Sequence, residues 1–426
     1  MKFDAVVIAT GPAASNVVCG LTLKERGRRV AVKAGAEQVL VLDTANTTAN
    51  TTANAPASTT TGVQCQNAGS LHQWATDRQP GKSVLIIRAS DQVVHLPLVA
   101  AVKPASATDD TARIAVTPDN GEYAGAMWVP SSAVAEALAI LAENPLEGDR
   151  LLAARWLSAT PAGNPTPTIE TRSTKAVPVP HGEIARHPAV TAAERRQATR
   201  MLFRLVHKPQ DGPVTRWLYR PVSYPITRLL LPTPVKPNHV STAVLLLGVL
   251  GCYLTAGPSY WHVVIGSAIV LFAGYLDSCD GEIARLKHET SKLGAWLDTA
   301  SDEATTLMYL VALGWHVYGR HPLPWVGWSI VVGAGATLVS IFVIYHYLIF
   351  VSHTCNSQDY PSTSLGLLAP LAHLLRRDFI NWGALVLVIA NAAAVAYALL
   401  VLGSLVTASI LLPQHLARRR MDSSVA

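Results

Sequence analysis

The sequence predicts two unlike parts in one chain: an α/β domain, then an all-α polytopic membrane domain of about six transmembrane helices. Short apolar runs alternate with helix-like stretches over roughly the first 150 residues, the pattern of a doubly wound sheet. Charges crowd before Pro237 and thin out after it, so a composition half hydrophobic and only 15% charged averages two different regions. The apolar segments after Pro237 approach the ~20 residues a helix needs to cross a bilayer.

Residues 4–11 (DAVVIATG) have a buried-strand pattern running into a glycine turn, and a helix is expected over 16–26. Residues 29–33 (RVAVK) and 38–42 (QVLVL) read as further short strands. Thr, Ala and Asn dominate 43–62, a low-complexity stretch expected to be a flexible loop. Its two Asn-Thr-Thr triplets match glycosylation sequons, but no secretion signal stands before them. Residues 82–89 (KSVLIIRA) predict another buried strand ending at Ser90-Asp91, and 123–130 (YAGAMWVP) a strand leading into a helix over 131–143. Pro and Thr make 161–180 a linker or an extended edge. Over 190–204 the pattern turns helical and basic, with Arg195, Arg196, Arg200 and Arg204 among apolar residues, which suits an amphipathic helix on an anionic leaflet.

The apolar segments run over 240–256, 260–276, 293–317, 325–351 and 379–412. The last is too long for one span, and Asn391 near its middle divides it into two short helices. Basic residues before Pro237, around 285–292, at Arg376-Arg377 and at 418–420 would all face the cytoplasm, and only Arg320 dissents. The domains expected are 1–180, a juxtamembrane region 181–236, the membrane domain 237–415 and a basic tail 416–426.

The net charge of +6 fits a membrane surface and phosphate, and nucleic acid is excluded as a partner because no basic run carries interleaved aromatics. The five cysteines, at 19, 65, 252, 279 and 355, form neither a disulfide framework nor a metal spacing, as in a reducing compartment.

The stretch 277–302, DSCDGEIARLKHETSKLGAWLDTASD, carries the chemistry. Asp277 and Asp280 are spaced i, i+3 and Asp298 and Asp302 i, i+4, so on helices each pair faces one way. Clustered carboxylates on an apolar background repel one another unless something neutralises them. Oxygen-bound divalent cations do so, and Mg²⁺ in particular bridges carboxylates to substrate phosphates. The spacing therefore points to a metal site for a phosphate-bearing substrate.

The pattern Asp277-x2-Asp280-Gly281-x2-Ala284-Arg285-x8-Gly294-x3-Asp298-x3-Asp302 resembles the complete signature of the CDP-alcohol phosphotransferases. The resemblance implies transfer of a phosphoalcohol from a CDP-alcohol, either CDP-diacylglycerol or a CDP-polyol, to the hydroxyl of an alcohol or sugar phosphate, with release of CMP. It implies two ions of Mg²⁺ or Mn²⁺ on Asp277, Asp280, Asp298 and Asp302, with Asp302 also the general base. Gly281, Ala284 and Gly294 would leave room for the nucleotide, Arg285 would offer its fork to a phosphate, and Asn238, in a Pro-Asn-x-Val-Ser start to the first membrane helix, would assist. A homodimer in the cytoplasmic membrane, with N-terminal domain and active site facing the cytoplasm and a place in phospholipid or headgroup biosynthesis, completes the expectation.

Lys208-x2-Asp211-Gly212-x3-Arg216-x3-Arg220-x2-Ser223 resembles the juxtamembrane region of members with a fused N-terminal domain, such as the archaeal inositol-phosphate cytidylyltransferase fused to a di-myo-inositol phosphate phosphate synthase. Arg216 and Arg220 stand one helical turn apart, placed to hold an acceptor phosphate or to snorkel to headgroups. The N-terminal strand order, with Asp91 and Ala124-Gly125, resembles sugar-phosphate nucleotidyltransferases. The first loop, ATGPAASNVVCG, lacks their basic residue and second glycine, so a degenerate domain is expected. Two alternatives stand beside the main reading. A bifunctional enzyme would make its own CDP-alcohol, and an ion-coupled transporter would need acids near mid-helix and repeats.

Overall fold

The computed structural model describes residues 2–43, 62–65, 68–79, 81–106, 109–158, 174–182, 185–206, 215–352 and 377–425. Most of the low-complexity loop, the stretch 159–173, Lys208, Asp211, Gly212 and Arg376 lie outside the described residues. The chain divides into two compact units, Met1–His207 with Leu286–His288, and Lys208–Arg285 with Glu289–Ala426.

The first unit is an α/β domain with a mixed sheet. Its strands β1 (Phe3–Ile8), β4 (Val39–Leu42), β5 (Gly62–Cys65), β6 (Ser83–Arg88), β8 (Ala112–Val116), β9 (Tyr123–Val129) and β10 (Ala176–Pro180) form one sheet in the order β10-β8-β9-β6-β1-β4-β5. β1 pairs in parallel with β4 and β6, whereas β9 runs antiparallel to both β6 and β8. Side chains alternate across the sheet. Val6, Ile8 and Leu40 pack with Leu138 and Leu141 of α4 (Val134–Glu143) and Trp156 of α5 (Gly148–Ser158). Ala5, Val7 and Val39 pack with Val30 and Ala31 of α1 (Leu23–Lys33) and Leu98 of α3 (Leu96–Val102) on the other face.

Two sequence expectations are corrected here. The helix foreseen over 16–26 begins at Leu23, after a small antiparallel pair, β2 (Val17–Val18) and β3 (Leu21–Thr22). The strand foreseen at 29–33 is the end of that same helix. Thr22 decides the start, because its side chain accepts the Glu25 amide hydrogen and satisfies an orphan donor of the first turn. Burial of Val30 and Ala31 against the sheet then overrides the alternating pattern. Within the stretch foreseen as a linker or an extended edge, 176–180 forms the edge strand β10, parallel to β8.

The second unit is helical. After a π-turn (Thr215–Tyr219) come α7 (Arg220–Leu230), α8 (Pro237–Thr255), α9 (Tyr260–Leu286), α10 (Lys292–Arg320), α11 (Pro324–Tyr347), α12 (Arg377–Ile389) and α13 (Ala393–Val425). Among the described residues, four stretches are long and apolar enough to cross a membrane: Pro237–Thr255, Tyr260–Leu286, Pro324–Ser352 and Ala393–Leu416. α10 is as long but carries Asp298, Asp302, Glu303 and two terminal basic residues, and the apolar run of α12 is short, Phe379–Ile389. The chain breaks between α12 and α13 at Asn391, whose φ of 57° is left-handed. α10 packs on α8, α11 and α13. α8 and α9 approach so closely at Gly251 and Gly266 that a Cβ on Gly266 would fall 2.4 Å from the Thr255 nitrogen.

Candidate functional site

α9 carries Asp277 and Asp280, and α10 carries Asp298 and Asp302. The helical periods turn the first pair toward Asp298, and carboxylate oxygens of Asp277, Asp280 and Asp298 lie within 4.8 Å of one another. Asp280 is buried, and its Oδ2 accepts a hydrogen bond from Ser241 Oγ on α8. Three helices therefore meet at one carboxylate. Asp302 stands one turn beyond Asp298 and lines, with Asp277, a cleft that runs toward the helix middles.

The donor set is all carboxylate oxygen, the ligand type of hard divalent cations. Like charges this close and partly buried fit a bound cation far better than they fit one another. Asp277, Asp280 and Asp298 are thus placed to hold a metal ion, with Asp302 on the adjoining cleft wall.

The remaining signature residues gather at the Leu286 end of α9 and the Lys292 end of α10. Ser291 caps α10 by accepting the Gly294 amide hydrogen at 2.9 Å. A Cβ on Gly294 would come 3.4 Å from Asn238 Oδ1, so the missing side chain leaves those two groups adjacent. Arg285 lies along its own helix, its Nη1 3.1 Å from where a Cβ on Gly281 would stand. Ala284 is half-buried on the same turn of α9.

Arg216 and Arg220 do not share a site. Arg216 is exposed on the π-turn, whereas Arg220 is buried and ion-paired with Glu282. Glu282 is fully buried, and it also accepts hydrogen bonds from Ser223 Oγ at 2.8 Å and Thr227 Oγ1 at 2.6 Å. Arg220, Ser223 and Thr227 all lie on α7, so one carboxylate of α9 holds a whole helix face. Glu282 and Ser241 stand outside the aspartate spacing that marks the site in the sequence. The spacing of Arg220, Ser223 and Thr227 at i, i+3, i+7 was the available signal for the first.

In the first unit, Asp91 closes β6 and its neighbour turn. Its two carboxylate oxygens accept from Arg88 Nε and Nη2 at 3.2 and 3.3 Å, and Oδ2 also accepts from Arg150 Nη2 at 3.1 Å. Arg88 reaches Asp149 as well, at 2.9 Å, and burial holds the Asp149 carboxyl above its ordinary value despite that guanidinium. The first loop closes on itself: the Ala14 amide donates to Gly11 O, and the Thr10 amide to Ser90 Oγ.

Residues 235–408 match the sequence model of the CDP-alcohol phosphatidyltransferase family. They span all four aspartates. Relatives of this chain include a "Bifunctional IPC transferase and DIPP synthase" of Aquifex aeolicus, 32% identical over 117 residues, which is 27% of this chain and 26% of that protein. The protein of the same name from Rubrobacter xylanophilus is 38% identical over 112 residues, 26% of this chain and 25% of that one. A Mycobacterium bovis protein named as a candidate cardiolipin synthase is 37% identical over 83 residues, 18% of this chain and 37% of its own length. The chain thus matches about a quarter of the length of the first two relatives. The carboxylate cluster and the cleft beside it both lie inside the matched residues.

Proposed function

We propose that the protein is an integral-membrane CDP-alcohol phosphotransferase, moving a phosphoalcohol from a CDP-alcohol to an acceptor hydroxyl with release of CMP. The observation that carries this reading is the convergence of Asp277, Asp280 and Asp298 beside Asp302 within a CDP-alcohol phosphatidyltransferase domain. Asp277, Asp280 and Asp298 would hold Mg²⁺ or Mn²⁺, with Asp302 within reach of a second ion. When bound, the metal neutralises the donor diphosphate and the departing CMP. Asn238, Gly281, Ala284, Arg285 and Gly294 form the nucleotide end of the site, where small residues admit the cytidine and Arg285 supplies a fork for phosphate. The acceptor oxygen bonds to the β-phosphorus, the bond from that phosphorus to the bridging oxygen breaks, and the hydroxyl proton passes to Asp302.

The membrane arrangement belongs to the same reading. α8 to α13 give six crossings, with α10 and α12 shielded by their neighbours, and the aspartate ends face the cytoplasm. Exposed Trp261, Trp315, Trp325 and Trp328 stand at the opposite helix ends, where aromatic side chains favour the second interface. On this reading the protein works in the cytoplasmic membrane as a homodimer, in phospholipid or headgroup synthesis.

A second reading, a bifunctional enzyme that also makes its CDP-alcohol, is favoured by the names of the first two relatives. It is disfavoured by Asp91, which is held by two arginines in the first unit. The test is CMP release from labelled CDP-diacylglycerol and CDP-polyols with a panel of acceptors. Release should require Mg²⁺ or Mn²⁺ and stop in excess EDTA. Undiminished release under chelation would remove the metal assignment.

A further inference from the structure

The cleft beside Asp302 holds a polar group that neither the signature nor the metal site uses. Asn381 lies on α12 and faces Asp277 and Asp302 across the cleft. It is half-buried, and its amide makes no hydrogen bond among the described residues. An unpaired amide on a helix that is apolar from Phe379 to Ile389 is unfavourable unless something else satisfies it. Room is kept for it on α9, one turn before Asp277, because its Nδ2 lies 3.8 Å from where a Cβ on Gly274 would stand.

The position of the cleft says what enters it. Its α9 wall, Ala273 and Asp277, precedes Asp280, and its α10 wall, Asp302 and Thr306, follows Asp298. Asn238, Gly294 and Arg285 lie on the other side of the carboxylates, toward the ends of α9 and α10. Displacement at phosphorus sets entering and leaving oxygens roughly in line. With CMP leaving toward Asn238 and Arg285, the attacking alcohol comes from the cleft. This step rests on the proposed reaction.

The lining gives the chemistry. Among the described residues no basic side chain lines the cleft, so it does not grip a phosphate. The Thr306 hydroxyl already donates to the Asp302 carbonyl at 2.9 Å, which leaves its lone pairs to accept. Carboxylates and hydroxyl lone pairs accept hydrogen bonds, while an amide both donates and accepts. Such a set fits neighbouring hydroxyls of an uncharged polyol segment. We propose that Asn381 is a specificity-determining residue that binds the hydroxyl next to the attacking one on the acceptor alcohol.

The experiment uses the full chain in lipid nanodiscs with CDP-diacylglycerol as donor. The acceptors are glycerol 3-phosphate, inositol 1-phosphate and 3-hydroxypropyl phosphate, which lacks the neighbouring hydroxyl. The native protein should prefer a polyol over 3-hydroxypropyl phosphate by about tenfold in KM, the worth of one hydrogen bond. Asn381→Leu should erase that preference by raising KM for the polyols, with kcat changed far less. CMP affinity measured by calorimetry should be unchanged, and Asn381→Ala is read in the same way if the leucine variant does not fold. CMP release with the preference intact in the variant would overturn this assignment alone. No release by the native protein from any CDP-alcohol with any acceptor would overturn the proposed reaction and this assignment with it.

Discussion

Asp280 and Asp302 are both signature aspartates, yet their surroundings differ. Asp280 is buried, accepts from Ser241 and shares its space with Asp277 and Asp298, whereas Asp302 faces the cleft where an alcohol would approach. Asp302→Asn should therefore lose about 10²–10⁴ in turnover, the range for a general base, while still binding CMP and metal. Asp280→Asn should weaken CMP and Mn²⁺ binding together, with partial rescue by added metal. Calorimetry and single-turnover CMP release at several metal concentrations separate the two. Equal loss of binding and equal rescue would make Asp302 a fourth ligand. Ser241→Ala, which removes only the partner of Asp280, should lower metal affinity about 10–100-fold. At this scale the carboxylates were legible because fixed helical spacing leaves a trace in one dimension. Ser241 and Asn381 were not, since each meets the aspartates only through packing of helices distant in sequence.

Helix α7 shows what an element adds to that spacing. Its charged hold on α9 runs through Glu282, fully buried under Arg220, Ser223 and Thr227, and Cys279 of α9 adds a bond to the Ser223 carbonyl, while Leu229 on α7 is exposed and Trp217 is exposed on the turn before it. Glu282→Gln would leave Arg220 buried without its counter-charge, and breaking such a pair by one partner costs about 3–5 kcal/mol. The variant should melt earlier and be cut more readily by protease around α7, and Arg220→Gln in the same chain should restore part of the loss. In the first unit α3 is capped by His95, whose Nδ1 accepts the Leu96 amide hydrogen at 2.6 Å. Burial, then the charge of Arg26, pushes the His95 pKa down to about 4. An unfolded histidine titrates near 6.5, so the unfolded state binds the extra proton between those values. The contribution of His95 to stability is full above pH ~6.5 and is lost as pH falls toward 4. Hydrogen exchange over α3 and β6 should quicken across that window, and His95→Asn, which keeps a cap without titrating, should flatten the change. The elements themselves were legible where one periodicity ruled, as in β1, β6 and α9. They were misread at 29–33, where RVAVK alternates like a strand but a cap at Thr22 and burial of Val30 and Ala31 make it helix.

At the scale of the molecule, one chain joins an α/β unit to a helical unit that holds the carboxylate cluster and the candidate membrane spans. The bifunctional name belongs to relatives matched over about a quarter of their length, so nucleotide transfer by the first unit has to be judged from that unit's own residues. Such chemistry needs a cation on a carboxylate at the end of a strand and a basic, open loop to receive the triphosphate. Asp91 stands in that place, but three guanidinium hydrogen bonds from Arg88 and Arg150 occupy both of its oxygens. A metal ion there would have to displace two cations from charge-assisted bonds. The loop after β1 carries no Lys or Arg between Ala9 and Gly20, and the amides of Ala9, Thr10, Ala14 and Asn16 are taken up within the domain. The full chain given CTP and inositol 1-phosphate should accordingly release no pyrophosphate above background, with or without Mg²⁺, while still releasing CMP from a supplied CDP-alcohol. Freeing Asp91 by Arg88→Leu together with Arg150→Leu should not create the activity, because the basic loop would still be missing. Pyrophosphate release by the native chain, abolished by Asp91→Asn, would instead make the first unit the source of the second unit's substrate.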